Sequence, residues 1–190
     1  YYNTTNSDDK GKNFDLNLNY TLKFKNPQQV FSADLSYSKD DDDDFNNTFD
    51  TYVMPVITDP ENRNEYTKEL SSSYIAELNY THPFGKDAKL ETGYRGSYKK
   101  RDDDYTVDRY NYSTNQYEYD ANTSNRFIYK EQIHAMYGIY TNKLGDFGFS
   151  LGLRAEETII NGELVNNNST FDRNYIDFFP SASKIGRAHV

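Results

Sequence analysis

The chain has 190 residues, a net charge of -9, and a hydrophobic content of only 35%, with 19 Tyr and 12 Phe but no Trp and no Cys. This balance excludes a nucleic-acid partner, which needs a basic stripe, and it excludes disulfide or thiolate chemistry. No run of about 18 apolar residues occurs, so no helix is expected to cross a membrane; barrel strands, which are short and half apolar, are not excluded.

Residues 1–13 are polar and loop-like, with neither a starting Met nor a signal peptide. From Phe14 a period-two alternation dominates, the signature of a strand with two unlike faces. Phe14, Leu16, Leu18, Tyr20, Leu22 and Phe24 share one face; Asp15, Asn17, Asn19, Thr21 and Lys23 share the other. Asn26 and Pro27 interrupt the run. A second strand carries Phe31, Ala33, Leu35 and Tyr37 against Ser32, Asp34, Ser36 and Ser38. The third sets Tyr74, Ala76, Leu78 and Tyr80 on one face and leads into a turn at 82–87. The fourth places Leu90, Thr92, Tyr94, Gly96 and Tyr98 against Glu91, Arg95, Ser97 and Lys99.

In the fifth strand the expected apolar face is Phe127, Tyr129, Glu131, Ile133, Ala135, Tyr137 and Ile139. Lys130, Gln132, His134, Met136, Gly138 and Tyr140 form the opposite one. After a turn at 142–146, the sixth carries Phe147, Phe149, Leu151, Leu153 and Ala155 against Gly148, Ser150, Gly152, Arg154 and Glu156. A seventh is expected near Tyr175.

The connections after strands one, three and five are tight, whereas 39–72, 101–126 and 160–174 read as long polar loops. Strict alternation of short and long connections suits a membrane barrel, whose periplasmic turns are short and outer loops long. Each alternating run covers about nine to thirteen residues, near the length a tilted strand needs to cross a bilayer. The Asn, Asp, Lys, Arg and Glu of the second face are too polar for a packed core and call for water or a plug. Tyr20, Phe24, Tyr80 and Phe84 near the short turns, and Tyr37, Tyr98 and Tyr129 near the long loops, are spaced like two aromatic girdles.

The expected fold is therefore all-β: an antiparallel up-and-down transmembrane β-barrel in the bacterial outer membrane, incomplete, with about six to seven strands of a larger barrel. Outer-membrane lipid is the implied partner. A soluble β-sheet with one wet face is the competing reading, and strand length together with loop asymmetry favour the membrane.

Ile185-Gly186-Arg187-Ala188-His189-Val190 back-translates to ATC GGA AGA GCA CAC GTC, which resembles the start of a short-read sequencing adapter whose next codon is a stop. The expected division is thus 1–183 as partial barrel and 184–190 as a non-native tail, the natural protein continuing past Ser183.

Particular stretches carry a family resemblance. Residues 80–96, with Tyr80-Thr81-His82-Pro83-Phe84-Gly85-Lys86 followed by Lys89-Leu90-Glu91-Thr92-Gly93-Tyr94-Arg95-Gly96, look like a hairpin of TonB-dependent outer-membrane receptors. The group most resembled is the outer-membrane β-barrel family common in Bacteroidota. Residues 129–138, Leu151-Gly152-Leu153-Arg154-Ala155-Glu156 and Phe179-Pro180-Ser181 resemble the hairpin and strand that follow. The resemblance covers most of 70–182 and implies a closed barrel enclosing an N-terminal plug. It further implies uptake of a scarce nutrient, as yet unnamed, energised through TonB. Neither the plug nor the TonB-contacting segment lies in this sequence.

Candidate sites are few. The run Asp40 to Asp44 and the shorter Asp102 to Asp104 read as solvated loop, because a cation loop spaces its oxygen ligands around a turn Gly. His134, Arg154, Glu156, Glu91 and Arg95 are expected to face the lumen, where ion pairing between neighbouring strands is a plainer role than ligand contact. His82, His134 and His189 fall in a turn, a strand and the suspect tail, so no zinc cluster is expected. No G-x-S-x-G nucleophile is present, and no catalytic residue, metal or cofactor is expected. The Tyr- and Asn-rich stretch 105–125 reads as a hairpin projecting above the membrane, or as a platform stacking planar ligands. Two alternatives to the receptor are a structural or adhesive outer-membrane barrel without coupled transport, and a soluble carbohydrate-binding β-protein.

Overall fold

The computed structural model describes residues 2–51, 59–145 and 147–185. They form β1 (Tyr2–Lys23), β2 (Val30–Thr51), β3 (Glu61–Phe84), β4 (Ala88–Asn111), β5 (Gln116–Tyr119), β6 (Asn125–Leu144), β7 (Phe147–Leu164) and β8 (Ser169–Ile185). A single 3-10 turn, Val165–Asn167, joins the last two. All strands belong to one antiparallel sheet in the order β1-β2-β3-β4-β6-β7-β8, with β5 folding back on the end of β4. Among the described residues the sheet is open, with β1 and β8 at its edges.

Local chemistry sets the turns. Gly85 and Gly145 take φ of 74° and 63°, conformations that L side chains resist, at the β3–β4 and β6–β7 reversals. Between β1 and β2, Asn26 accepts the Gln28 amide on its side chain, and its carbonyl accepts that of Gln29. Pro27 closes this turn without costing a ladder hydrogen bond. Asp146, the last residue of the expected turn at 142–146, lies outside the described residues.

The strands are far longer than the alternation predicts, and the three expected long loops are mostly strand. β1 starts at Tyr2 rather than near Phe14; β2 and β3 fill most of 39–72; β4, β5 and β6 fill most of 101–126. Likewise β7 and β8 meet through a short turn instead of a loop over 160–174, and β8 begins at Ser169, before Tyr175. At 24 residues β3 is about 80 Å long, roughly twice what crossing a bilayer requires. These extensions carry no apolar alternation, which hid them. They are held by the backbone ladder and by polar pairs: Ser7 to Asn46 (2.5 Å), Asn47 to Asn64 (2.8 Å), and Asn3 to Asp50 (2.6 Å).

Residues paired across antiparallel strands point to the same face, so the register assigns faces without ambiguity. The row Leu18, Leu35, Ala76, Gly96 continues into His134 of β6 and Glu157 of β7. The next row runs Tyr20, Ala33, Leu78, Tyr94, Met136, Ala155, Phe178. In five of the six alternating strands the sequence reading of the faces is correct. In β6 it is inverted: Gln132, His134, Met136, Gly138 and Tyr140 lie on the apolar side, while Tyr129, Glu131, Ile133, Ala135, Tyr137 and Ile139 lie on the polar one. Both faces of β6 carry apolar residues, so periodicity alone could not choose between them; pairing with β4 and β7 does. Glu131 consequently needs no special place in the apolar belt, because it faces the polar side and accepts the Tyr129 hydroxyl at 2.7 Å.

Burial is inverted relative to a soluble protein. Ala135 (1% exposed), Val107, Thr48, Asp50 and Thr158 are buried on the polar side, whereas Met136 (66%), Leu18, Leu151 and Phe178 are exposed on the apolar side. In a one-layer sheet this crowding arises when the sheet curls toward its polar face. The core of this molecule is thus polar and its outside is greasy.

Candidate functional site

The apolar side is a belt that runs from Phe14 to Phe24 in β1, from Phe31 to Tyr37 in β2, from Tyr74 to Phe84 in β3 and from Leu90 to Tyr98 in β4, near the depth a bilayer imposes on tilted strands. Its limits are marked by rings. At one edge Tyr37 lies 4.7 Å from Tyr74, and Tyr74 lies 6.1 Å from Tyr98. At the short-turn edge Phe24 meets Tyr80 (6.2 Å), His82 meets Phe84 (4.8 Å), and Tyr140 meets Phe149 (6.2 Å). Aromatic rings with a polar tip favour such boundaries between hydrocarbon and water. Tyr129, counted in the outer ring from the sequence, is on the opposite face.

The upper edge steps down along the sheet, from Tyr98 in β4 to Gln132 and His134 in β6 and to Glu157 in β7. Strand tilt produces this stepping, since a hydrogen-bonded row is not level in a tilted barrel. His134 therefore does not face the lumen as expected. It sits at the belt's edge, where its Nδ1 and the Tyr94 hydroxyl share a 2.8 Å hydrogen bond that satisfies both polar groups.

The polar side holds the other four expected lumen residues, and each is matched to a nearby charge. Arg95 bridges to Glu77 across the β3–β4 pair at 3.3 Å; Arg154 holds Glu156 at 2.5 Å; Glu91 takes Lys89 at 2.9 Å. Only the first is a cross-strand pair, so the expected pairing between strands is largely replaced by pairing along them. Tyr137, which the sequence reading set on the apolar face, joins this one: its hydroxyl donates to Asn79 at 2.6 Å.

Beyond the belt, the extended strands carry a charged network. The Tyr105 hydroxyl donates to Glu65 at 2.6 Å, and burial with that carboxylate pushes its pKa up to about 12. Arg63 reaches Glu65 (3.3 Å) and Asp50 (3.7 Å), and Arg109 ties Glu61 to Asp120. The Arg109 guanidinium and the Thr123 hydroxyl hold the Asp120 carboxyl down at about 2. Arg126 clasps Asp102 through two 2.8 Å hydrogen bonds and lowers its pKa.

The aspartate run is not loop, contrary to expectation: it is part of β2, and the pleat splits it. Asp41 and Asp43 go to the apolar side's face, where both approach Lys68 at 3.8 and 3.2 Å, while Asp40, Asp42 and Asp44 go to the other. Asp102 and Asp103 are divided in the same way, Asp103 pairing with Arg101 at 2.7 Å. Among the described residues no group of three His, Cys, Asp or Glu is placed to hold a metal ion. The stretch 105–125 is a hairpin of β4 and β5, with Tyr110 edge-on to Tyr112 (4.9 Å) and Tyr117 (5.2 Å). Of the suspect tail, Lys184 and Ile185 continue β8 opposite Phe149 and Gly148; residues 186–190, His189 included, lie outside the described residues.

The arrangement, greasy outside and polar inside, is that of a wall separating lipid from water, and comparison with known proteins agrees. The sequence matches the outer membrane protein beta-barrel family over residues 22–185. Similar solved structures include the ferric citrate transporter FecA in its unliganded form, at 12% identity and a TM-score of 0.46, covering 86% of this chain and 26% of that one. The ferric yersiniabactin uptake receptor FyuA from Yersinia pestis is 11% identical with a TM-score of 0.37, covering 82% of this chain and 25% of its own. The chain thus spans about a quarter of the length of either structure. No curated protein matches it. With most of its length matched, the chain belongs to the outer membrane protein beta-barrel family and forms part of a β-barrel wall in the bacterial outer membrane.

Proposed function

We propose that this chain is part of the barrel of a TonB-dependent receptor that takes up a scarce nutrient through a wide lumen holding a plug domain. The observation that carries this reading is the polar side of the sheet. A narrow barrel fills its interior with its own apolar side chains, but Arg95–Glu77, Arg154–Glu156 and Tyr137–Asn79 require water or a polar partner opposite them. Open edges at β1 and β8 cannot stand in lipid, so closure takes further strands, as a large barrel supplies. The hairpin sequence at 80–96 supports the same family of receptors. The reading assigns the chain no enzymatic step.

The test is uptake. With the complete gene expressed in its own host, a strain lacking it should grow poorly on one limiting nutrient, and a strain lacking TonB should show the same defect. Growth and uptake unaffected by loss of TonB, with no plug encoded upstream, would leave the structural or adhesive barrel as the better reading. The soluble carbohydrate-binding alternative is displaced by the family match and by the apolar belt.

A further inference from the structure

We draw no further inference here: the strongest candidate, the aromatic cluster on the polar side of β6, β7 and β8 where Phe127 stacks on Tyr129 and on Phe171, whose ring lies across Gly162, belongs to the lumen wall already assigned to nutrient passage, and nothing in the structure shows what covers it.

Discussion

The Tyr137 hydroxyl donates a 2.6 Å hydrogen bond to Asn79, two strands away, and its ring crosses Gly93 on the strand between to do so. A Cβ at Gly93 would lie within 2.6 Å of Asn79 Oδ1 and 2.7 Å of the Leu78 carbonyl, and closer still to the tyrosine ring. One glycine thus allows three strands to be tied together on the water side. Gly93→Ala should destabilise the barrel by about 1–3 kcal/mol, the usual cost of overpacking. Tyr137→Phe keeps the ring and loses the bond, at about 1 kcal/mol. Urea unfolding of the complete barrel in detergent micelles would rank the two; equal stability of G93A and wild type would mean that the crossing is not formed.

The face assignment of β6 makes a sharp prediction. Met136 is 66% exposed on the belt, whereas Ile139 lies on the polar side opposite Glu91. Met136 lies one row inside His134, so Met136→Arg should cost up to about 2–4 kcal/mol, the midplane value being the ceiling. Ile139→Arg should assemble normally, because its guanidinium meets water and a carboxylate. The readout is the fraction of heat-modifiable, folded protein in isolated outer membranes. The opposite ranking would restore the face order that periodicity suggests.

At the belt's edge, Tyr94 and His134 satisfy each other, so their loss should not be additive. Tyr94→Phe or His134→Leu each leave one polar group without its partner, at a cost of about 1–3 kcal/mol. The double variant should cost less than the sum, with a coupling of about 0.6 kcal/mol as for paired groups in membranes. A coupling of zero in the double-mutant cycle would show that lipid headgroups or water already serve both residues.

Asp120 gives a pH dependence of known sign. Its carboxyl is held at about 2 by Arg109 and Thr123, below the ordinary aspartate value near 3.8. A depressed folded-state pKa means that the stabilisation is fully present above the unfolded value and is lost as pH falls through the folded one. The β4–β5 hairpin should therefore keep its structure at pH 4 and loosen toward pH 2. Asp120→Asn should remove this acid transition. Amide exchange of the Thr123 and Ser124 backbone, which hydrogen-bonds to Asp120, would follow both.

Much of this fold is written in local pattern. Phe14 to Phe24, Phe31 to Tyr37, Tyr74 to Tyr80 and Phe147 to Ala155 alternate cleanly because lipid accepts only apolar side chains and the lumen favours polar ones. A period of two therefore reports both faces at once. The tight turns are equally legible, since Gly85 and Gly145 satisfy a backbone requirement that few other residues meet. What the pattern could not show is any strand whose two faces see the same medium. Above the belt both sides meet water, so Asp40 to Thr51 of β2 and residues 101–111 of β4 read as loop although they are strand.

The amino-acid sequence by itself thus determined the class of fold, the lipid-facing belt on five strands, and the place of its inner turns. Each follows from interactions within a few residues or from contact with a single solvent. Tertiary structure alone decided the rest. Which side of β6 faces lipid depends on hydrogen-bond register with β4 and β7, because Ile133, Ala135 and Ile139 compete with Met136 and Tyr140 for the apolar face. The same register splits the aspartates of β2, removes His134 from the lumen, and aligns Lys39, Lys100 and Lys130 in one row. It also joins Tyr137 to Asn79, 58 positions away in the chain. Only the pairing of long strands brings residues so distant into contact.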